Sequence, residues 1–240
     1  MIKTIKRLLP EKWKRNVKDH LGVPSLHKTL KHLKSIGFLP DVVIDGGAYE
    51  GHWAVDFLEV FPNAKILMIE AQEDKREALE KICEQHTCID FYIGLLSSED
   101  NKALSFLQNE TASHIEEHIA EDSAYAYQLL KTITLDSLLA TKNLGLVNFL
   151  KLDVQGHEAE VIKGSIKTLG NVEFCLLEVT LLELAINSVL FIDIINQMNE
   201  LGFQVYEISQ FIRRPFDLAL YQMDVLFIKK QSRFIADKKW

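Results

Sequence analysis

The stretch VVIDGGAYEG, residues 42–51, decides how this chain is read. Three β-branched residues, Val42, Val43 and Ile44, run into Asp45 and then into a turn carrying Gly46, Gly47 and Gly51. That is the pattern of a short buried strand opening into a glycine loop. A dinucleotide-binding loop needs G-x-G-x-x-G so that the backbone can approach a pyrophosphate. Here Ala48 stands at the second glycine position, and Asp45 and Glu50 would crowd a phosphate with negative charge. A P-loop is excluded because no Lys-Ser or Lys-Thr pair follows the glycines.

Working outward, further apolar runs occupy residues 65–70, 88–96, 147–154, 173–180, 203–208 and 223–229. Helical patterns such as 74–85 and 158–169, the second followed by Gly170 as a cap, separate most of them. Strands apolar on both faces and alternating with helices predict an α/β fold with a seven-stranded, mostly parallel sheet covered on both sides. Only 209–222, with Pro215 at its centre, lies between the last two strands, so they are expected to pair antiparallel at the sheet edge. Residues 97–131 interrupt the alternation with a polar insertion.

In open α/β sheets ligands bind beyond the carboxyl ends of the strands. The residues there are Asp45, Glu70, Leu96, Asp153 and Glu178, and four of the five are acids. Helix capping accounts for one or two acids at such positions, not for four. A loop of this kind suits a ligand that is cationic on one side. S-adenosylmethionine carries an ammonium, a sulfonium and no phosphate, and Glu70 can accept both hydroxyls of its ribose.

Composition narrows the class. At 240 residues the chain suits one large domain, and its 48% hydrophobic and 25% charged residues exclude a disordered chain. Cys83, Cys88 and Cys175 are odd in number and lack C-x-x-C spacing, which argues against a disulfide framework or a zinc ribbon and for a reducing cytoplasm. No signal-peptide pattern is present. The greasiest region, 174–198, is broken by Glu178, Glu183, Asn187 and Asp193, so no bilayer-spanning segment is expected.

Residues 1–34 hold ten Lys and Arg against Glu11 and Asp19, on a chain whose net charge is −7. With Ile2, Ile5, Leu8 and Leu9 interleaved, this arm could touch an anionic membrane surface, or it could be a solvated helical appendage. Nucleic acid is not an expected partner, because the acidic body would repel a phosphate backbone.

The segments GFLPDVVIDGGAYEG, ILMIEAQ, TITLDSLL, VNFLKLDVQGHEAEVIKG and CLLEVT follow one another in the order and spacing of the FkbM family of S-adenosylmethionine-dependent methyltransferases, which the chain resembles over roughly residues 36–230. Lys151–Gly164 is its most specific piece. The resemblance implies a class I methyltransferase fold, Rossmann-like, with strand order 3-2-1-4-5-7-6 and the last strand antiparallel. It also implies O-methylation of hydroxyls on sugars, glycans or related intermediates. It divides the chain into a basic N-terminal helical appendage, 1–35, and a methyltransferase domain, 36–240. Carried over, the cofactor loop falls on Asp45, Gly46, Gly47 and Gly51 and the ribose acid on Glu70, with Gln72 and Leu96 as neighbours of the adenine. Tyr49 stands where many members have Asn.

The chemistry is expected at Asp153 and the turn after it. A sugar hydroxyl is a weak nucleophile at neutral pH and needs help to lose its proton. His157, four residues on, and Asp153 are both candidate bases, and a third route places Mg²⁺ between Asp153 and Glu178. His114 and His118 share a helical face at i, i+4; His114 is a candidate acceptor contact in the insertion, as Glu178 is at the fifth strand. Methylation of a nitrogen or a carboxylate, and a nucleoside-binding module without catalysis, stay open beside O-methylation. A homodimer is a further expectation.

Overall fold

The computed structural model describes residues 23–107, 114–116, 127–184 and 188–237. Helix α1, Leu26–Ser35, starts where the Ser25 hydroxyl accepts the Lys28 N–H, and it buries Thr29, Leu30 and Leu33. The boundary read at residue 35 thus falls at the end of a helix whose apolar face belongs to the core. Most of the basic arm, residues 1–22, lies outside the described residues.

Strand β1, Val42–Gly46, is buried throughout and feeds α2, His52–Val60. Then come β2, Lys65–Glu70, a 3-10 turn at Glu73–Lys75, α3, Arg76–Gln85, and β3, Ile89–Ile93. Gly94 breaks the run read as 88–96, and the two-residue β4, Leu95–Leu96, leaves the main sheet. Beyond it lie β5, Ala103–Leu107, β6, His114–Glu116, and β7, Tyr127–Ile133, followed by α4, Leu135–Thr141. The second half holds β8, Val147–Leu152, α5, Glu158–Lys163, α6, Ile166–Leu169, β9, Phe174–Thr180, α7, Phe191–Glu200, β10, Phe203–Arg213, and β11, Leu220–Lys229.

The main sheet has the order β3-β2-β1-β8-β9-β11-β10. Numbered along the chain, its seven strands read 3-2-1-4-5-7-6, as expected, with β11 antiparallel to both neighbours and the other pairs parallel. Two-residue periodicity splits the core between its faces. Val42, Ile44, Leu67, Ile69, Leu150 and Leu152 pack under α4, α5 and α7, while Val43, Met68, Phe149 and Phe174 pack with α1 and α2 around Phe38 and Phe57.

Three expectations need correction. The insertion at 97–131 contributes strands, since β5, β6 and β7 join β4 in a second sheet of order β4-β7-β5-β6. Alternation in ALSFL at 103–107 satisfies a strand despite the polar surroundings. His114 therefore sits in a strand paired with β5, at Leu107, and not on a helix; its side chain and all of His118 lie outside the described residues. Finally, the helix read over 158–169 is two helices broken at Gly164–Ser165, where a Cβ on Gly164 would lie 2.1 Å from the Ser97 carbonyl oxygen.

Candidate functional site

The loop after β1 turns through left-handed backbone at Gly47 (φ 74°), Tyr49 (φ 51°) and Gly51 (φ 76°). Gly47 has no alternative, because a Cβ there would sit 1.8 Å from the Asp153 carbonyl oxygen. The N–H groups of Gly47 and Ala48 donate to the Ile69 carbonyl at 2.9 and 3.1 Å, and that of Tyr49 donates to Glu70 Oε2 at 2.7 Å. Gln72 N–H donates to Glu70 Oε1 at 2.9 Å. These loop donors are thus turned toward the end of β2, which leaves them unable to cradle a pyrophosphate and agrees with the exclusion drawn from Ala48.

Beneath the loop lies Lys151, a lysine in the middle of the apolar strand β8 and only 6% exposed. Its Nζ is 3.0 Å from Asp45 Oδ1, 2.9 Å from the Gly47 carbonyl oxygen and 3.7 Å from Asp153 Oδ2. Asp45 is fully buried. Its contact with Lys151 is an ion pair in distance but not in hydrogen-bond alignment, and no hydrogen bond reaches either oxygen among the described residues. Burial pushes the Asp45 carboxyl above its ordinary value and Lys151 opposes the shift. Burial also works against charge on Lys151, but Asp45 and Asp153 outweigh it and hold the ammonium well above the usual lysine range.

The loop and strand ends enclose a cavity of about 260 Å³, whose polar lining includes Glu50, Lys151, Asp153, Glu178, Gln210 and Asp224. Gln155, in left-handed backbone at φ 54°, donates its amide Nε2 to Asp153 Oδ1 at 2.8 Å and to Glu178 Oε2 at 3.2 Å. Gln222 Nε2 donates to the same Glu178 oxygen at 2.9 Å. Burial, reinforced by Asp153, Glu158 and Asp224, pushes the Glu178 carboxyl up to about 9. Burial and Asp153 raise Asp224 to about 6. Glu158 rises to about 7 through burial, although it accepts the N–H groups of Val154 and Gly156.

This donor set does not fit the Mg²⁺ expected between Asp153 and Glu178. An amide N–H₂ bridges the two carboxyl groups where a cation would need acceptors. No group of three or more His, Cys, Asp or Glu is arranged to hold a metal among the described residues.

Of the residues read from sequence, Asp45, Gly46, Gly47, Gly51, Glu70 and Gln72 lie at the carboxyl edge formed by β1 and β2. Leu96 reaches it from β4, its Cδ1 3.5 Å from where a Cβ on Gly46 would stand. Asp153 and Glu178 line the cavity, and His157 does not. The turn at Gln155 and Gly156 aims its ring at Ser97, with Nε2 3.0 Å from Oγ. Sequence reasoning missed Lys151, Gln155, Gln222 and Asp224 as site residues. A lysine inside an apolar strand is the signal that could have found the first, because a buried ammonium demands carboxylates.

Residues 45–205 match the family model described as the methyltransferase FkbM domain. Among solved structures, the chain is similar to the methyltransferase FkbM from Methylobacillus flagellatus KT, at 12% identity over 77% of this chain and 43% of that one, with a TM-score of 0.49. This chain thus spans less than half of that protein's length. It is similar to the fibrillarin pre-rRNA processing protein of Methanococcus jannaschii, at 10% identity, 82% and 69% coverage and a TM-score of 0.50. It is also similar to magnesium protoporphyrin IX methyltransferase from Synechocystis PCC 6803, solved with bound S-adenosylmethionine, at 11% identity, 84% and 76% coverage and a TM-score of 0.48. At these identities the likeness is one of fold. No curated protein matches the sequence.

Proposed function

The chain belongs to the FkbM family of S-adenosylmethionine-dependent methyltransferases, and from that premise we propose that it methylates a hydroxyl of a sugar, glycan or related polar intermediate in the cytoplasm. The residues at the carboxyl edge fit the donor. Asp45, Gly46, Gly47 and Gly51 would form the floor of its site, Glu70 would accept its ribose hydroxyls, and Gln72 and Leu96 would flank the adenine. When bound, it supplies an electrophilic methyl group.

The observation that carries the acceptor class is the lining of the cavity. At neutral pH Glu178 keeps its proton and offers an O–H donor, beside the amide of Gln210 and the carboxyl groups of Asp153 and Asp224. Such a mixture of donors and acceptors complements a polyol. Asp153, held by Gln155 and close to Lys151, would take the proton of the acceptor hydroxyl, and positioning would supply much of the remaining rate. In this reading the base is Asp153 and not His157, whose ring is engaged with Ser97. The acid-rich lining also favours an amine, which is the second reading, and it disfavours a carboxylate acceptor.

Calorimetric titration with S-adenosylmethionine and S-adenosylhomocysteine, with NAD as the competing ligand and Asp45→Ala and Glu70→Ala as controls, tests the donor site. Micromolar binding lost in both variants supports it, and a preference for NAD sinks it. Methyl transfer from labelled donor to polyols and sugars, but not to the matching amines, supports hydroxyl chemistry. Donor binding with no transfer to any acceptor would leave a nucleoside-binding module.

A further inference from the structure

We propose that the tip of the β10–β11 hairpin inserts into an anionic lipid bilayer and docks the cavity side of the protein on a membrane. The hairpin outruns the sheet. The last β11–β9 pair is Gln222 with Thr180, whereas β10 and β11 stay paired to Arg213 and Leu220. Gln210 and Asp224, which line the cavity, are partners three pairs before the tip end of the ladder, so the tip projects from the carboxyl edge of the sheet, where the cavity lies.

Phe216 is 90% exposed, Leu218 67% and Phe211 46%. Large apolar side chains gathered on a projecting tip mark an interaction surface more than scattered ones do. Hydrogen bonds pin this tip. Arg214 N–H donates to the Ala219 carbonyl, Leu218 N–H to the Arg214 carbonyl, and the Arg213 guanidinium to the Leu218 carbonyl at 2.9 Å. The Arg214 guanidinium grips Asp217 through two bonds of 2.6 Å. Leu218 is held in left-handed backbone at φ 62°, a region costly for a branched residue, and its side chain gains little burial in return. Strain that exposes an apolar side chain is accounted for when something outside the chain takes up that side chain.

Charge selects the occupant. Asp217 is matched by Arg214, so Arg213 leaves the tip net positive. The described chain begins at Val23, and Leu26 lines the same cavity. Residues 1–22, which lie outside the described residues, carry seven Lys and Arg against Glu11 and Asp19, with Ile2, Ile5, Leu8 and Leu9 interleaved. Cations beside exposed Phe and Leu suit anionic headgroups over an acyl layer. On the methyl-transfer reading, such docking would present the cavity to an acceptor displayed at a bilayer surface. The docking itself does not depend on that reading.

The test is sedimentation of the full chain with vesicles of phosphatidylcholine alone and of phosphatidylcholine with phosphatidylserine, without donor or acceptor. Binding is expected to the anionic vesicles, weakening as salt rises. Phe216→Ala/Leu218→Ala should lower the partition by at least about tenfold, with melting temperature and donor titration unchanged. Failure to bind anionic vesicles, or equal binding by the double variant, overturns the proposal. So does a concentration-dependent dimer that the variant loses, which would assign the tip to a second copy. Donor titration on the same samples separates these outcomes from failure of the methyltransferase reading.

Discussion

Glu70 ends β2 and Glu178 lies two residues before the end of β9 in the same sheet, yet their carboxyl groups are held in opposite ways. Glu70 accepts backbone N–H groups on both oxygens, from Tyr49 and from Gln72, so the main chain fixes its position. Glu178 receives two side-chain amides on one oxygen and faces Asp153, Glu158 and Asp224, so burial and like charge favour its neutral form. The two ends of the site are thus different instruments. On the proposed reading, the half that would hold the cofactor is a main-chain frame, and the half that would hold the acceptor is a pool of acids whose protons depend on pH and on one another.

That contrast can be broken in order of expected effect. Asp153→Asn should lower kcat by about 10²–10⁴-fold and leave the donor Kd nearly unchanged; an equal loss of donor binding would erase the division. Lys151→Met strips the buried Asp45 of its counter-ion and should cost about 3–5 kcal/mol in urea unfolding. Adding Asp45→Asn should recover much of that loss, and a lack of recovery would show that the pair is not the cause. Glu70→Gln replaces an acceptor of two backbone N–H groups by a group with one, and should cost about 1.5–3 kcal/mol with a weaker donor Kd. Glu178→Gln, by contrast, mimics a carboxyl that already carries a proton. At pH 7 it should change stability by no more than about 0.5 kcal/mol.

The same carboxyls set a pH trend. The folded values of Glu178, Glu158 and Asp224 are raised to about 9, 7 and 6, above the ordinary carboxyl range of an unfolded chain. In that window the folded protein binds more protons than the unfolded one, so stability contributed by these groups is full below the unfolded values and is lost as pH rises through the folded ones. Urea midpoints should therefore fall between pH 5 and pH 9. Glu178→Gln should flatten the upper part of that slope, and a wild-type midpoint rising across the window would contradict the assignment.

The loop and strand ends proposed to hold the cofactor were legible in the sequence because their signals are local. A β-branched run, an acid and spaced glycines fix β1 and its loop, and Glu70 follows at the end of the next strand. The cavity lining proposed for the acceptor was legible only at Asp153 and Glu178, because its other members meet only through sheet order. Asp224 and Gln222 reach Glu178 because β11 lies between β9 and β10, and no short stretch of sequence encodes that pairing. His157 shows the limit of spacing arguments. Four residues past Asp153 it looked adjacent, but left-handed backbone at Gln155 and Gly156 turns it toward Ser97. In the insertion, the alternation of ALSFL was present and was outweighed by polar neighbours.

The position of β11 also bears on how the molecule is made. It is the last strand among the described residues, yet it joins the sheet inside β10, which pairs with no other strand. On a ribosome, β10 therefore emerges before the strand it pairs with, and Asp224 cannot join Asp153 and Glu178 at the cavity until residues 220–229 have followed. The loop half can close earlier, because β1, β2 and β8 are complete by residue 152. On the proposed reading, synthesis thus leaves an interval in which the frame that would hold the donor stands before the acceptor side is complete, and a nascent chain halted before Leu220 should remain in that state.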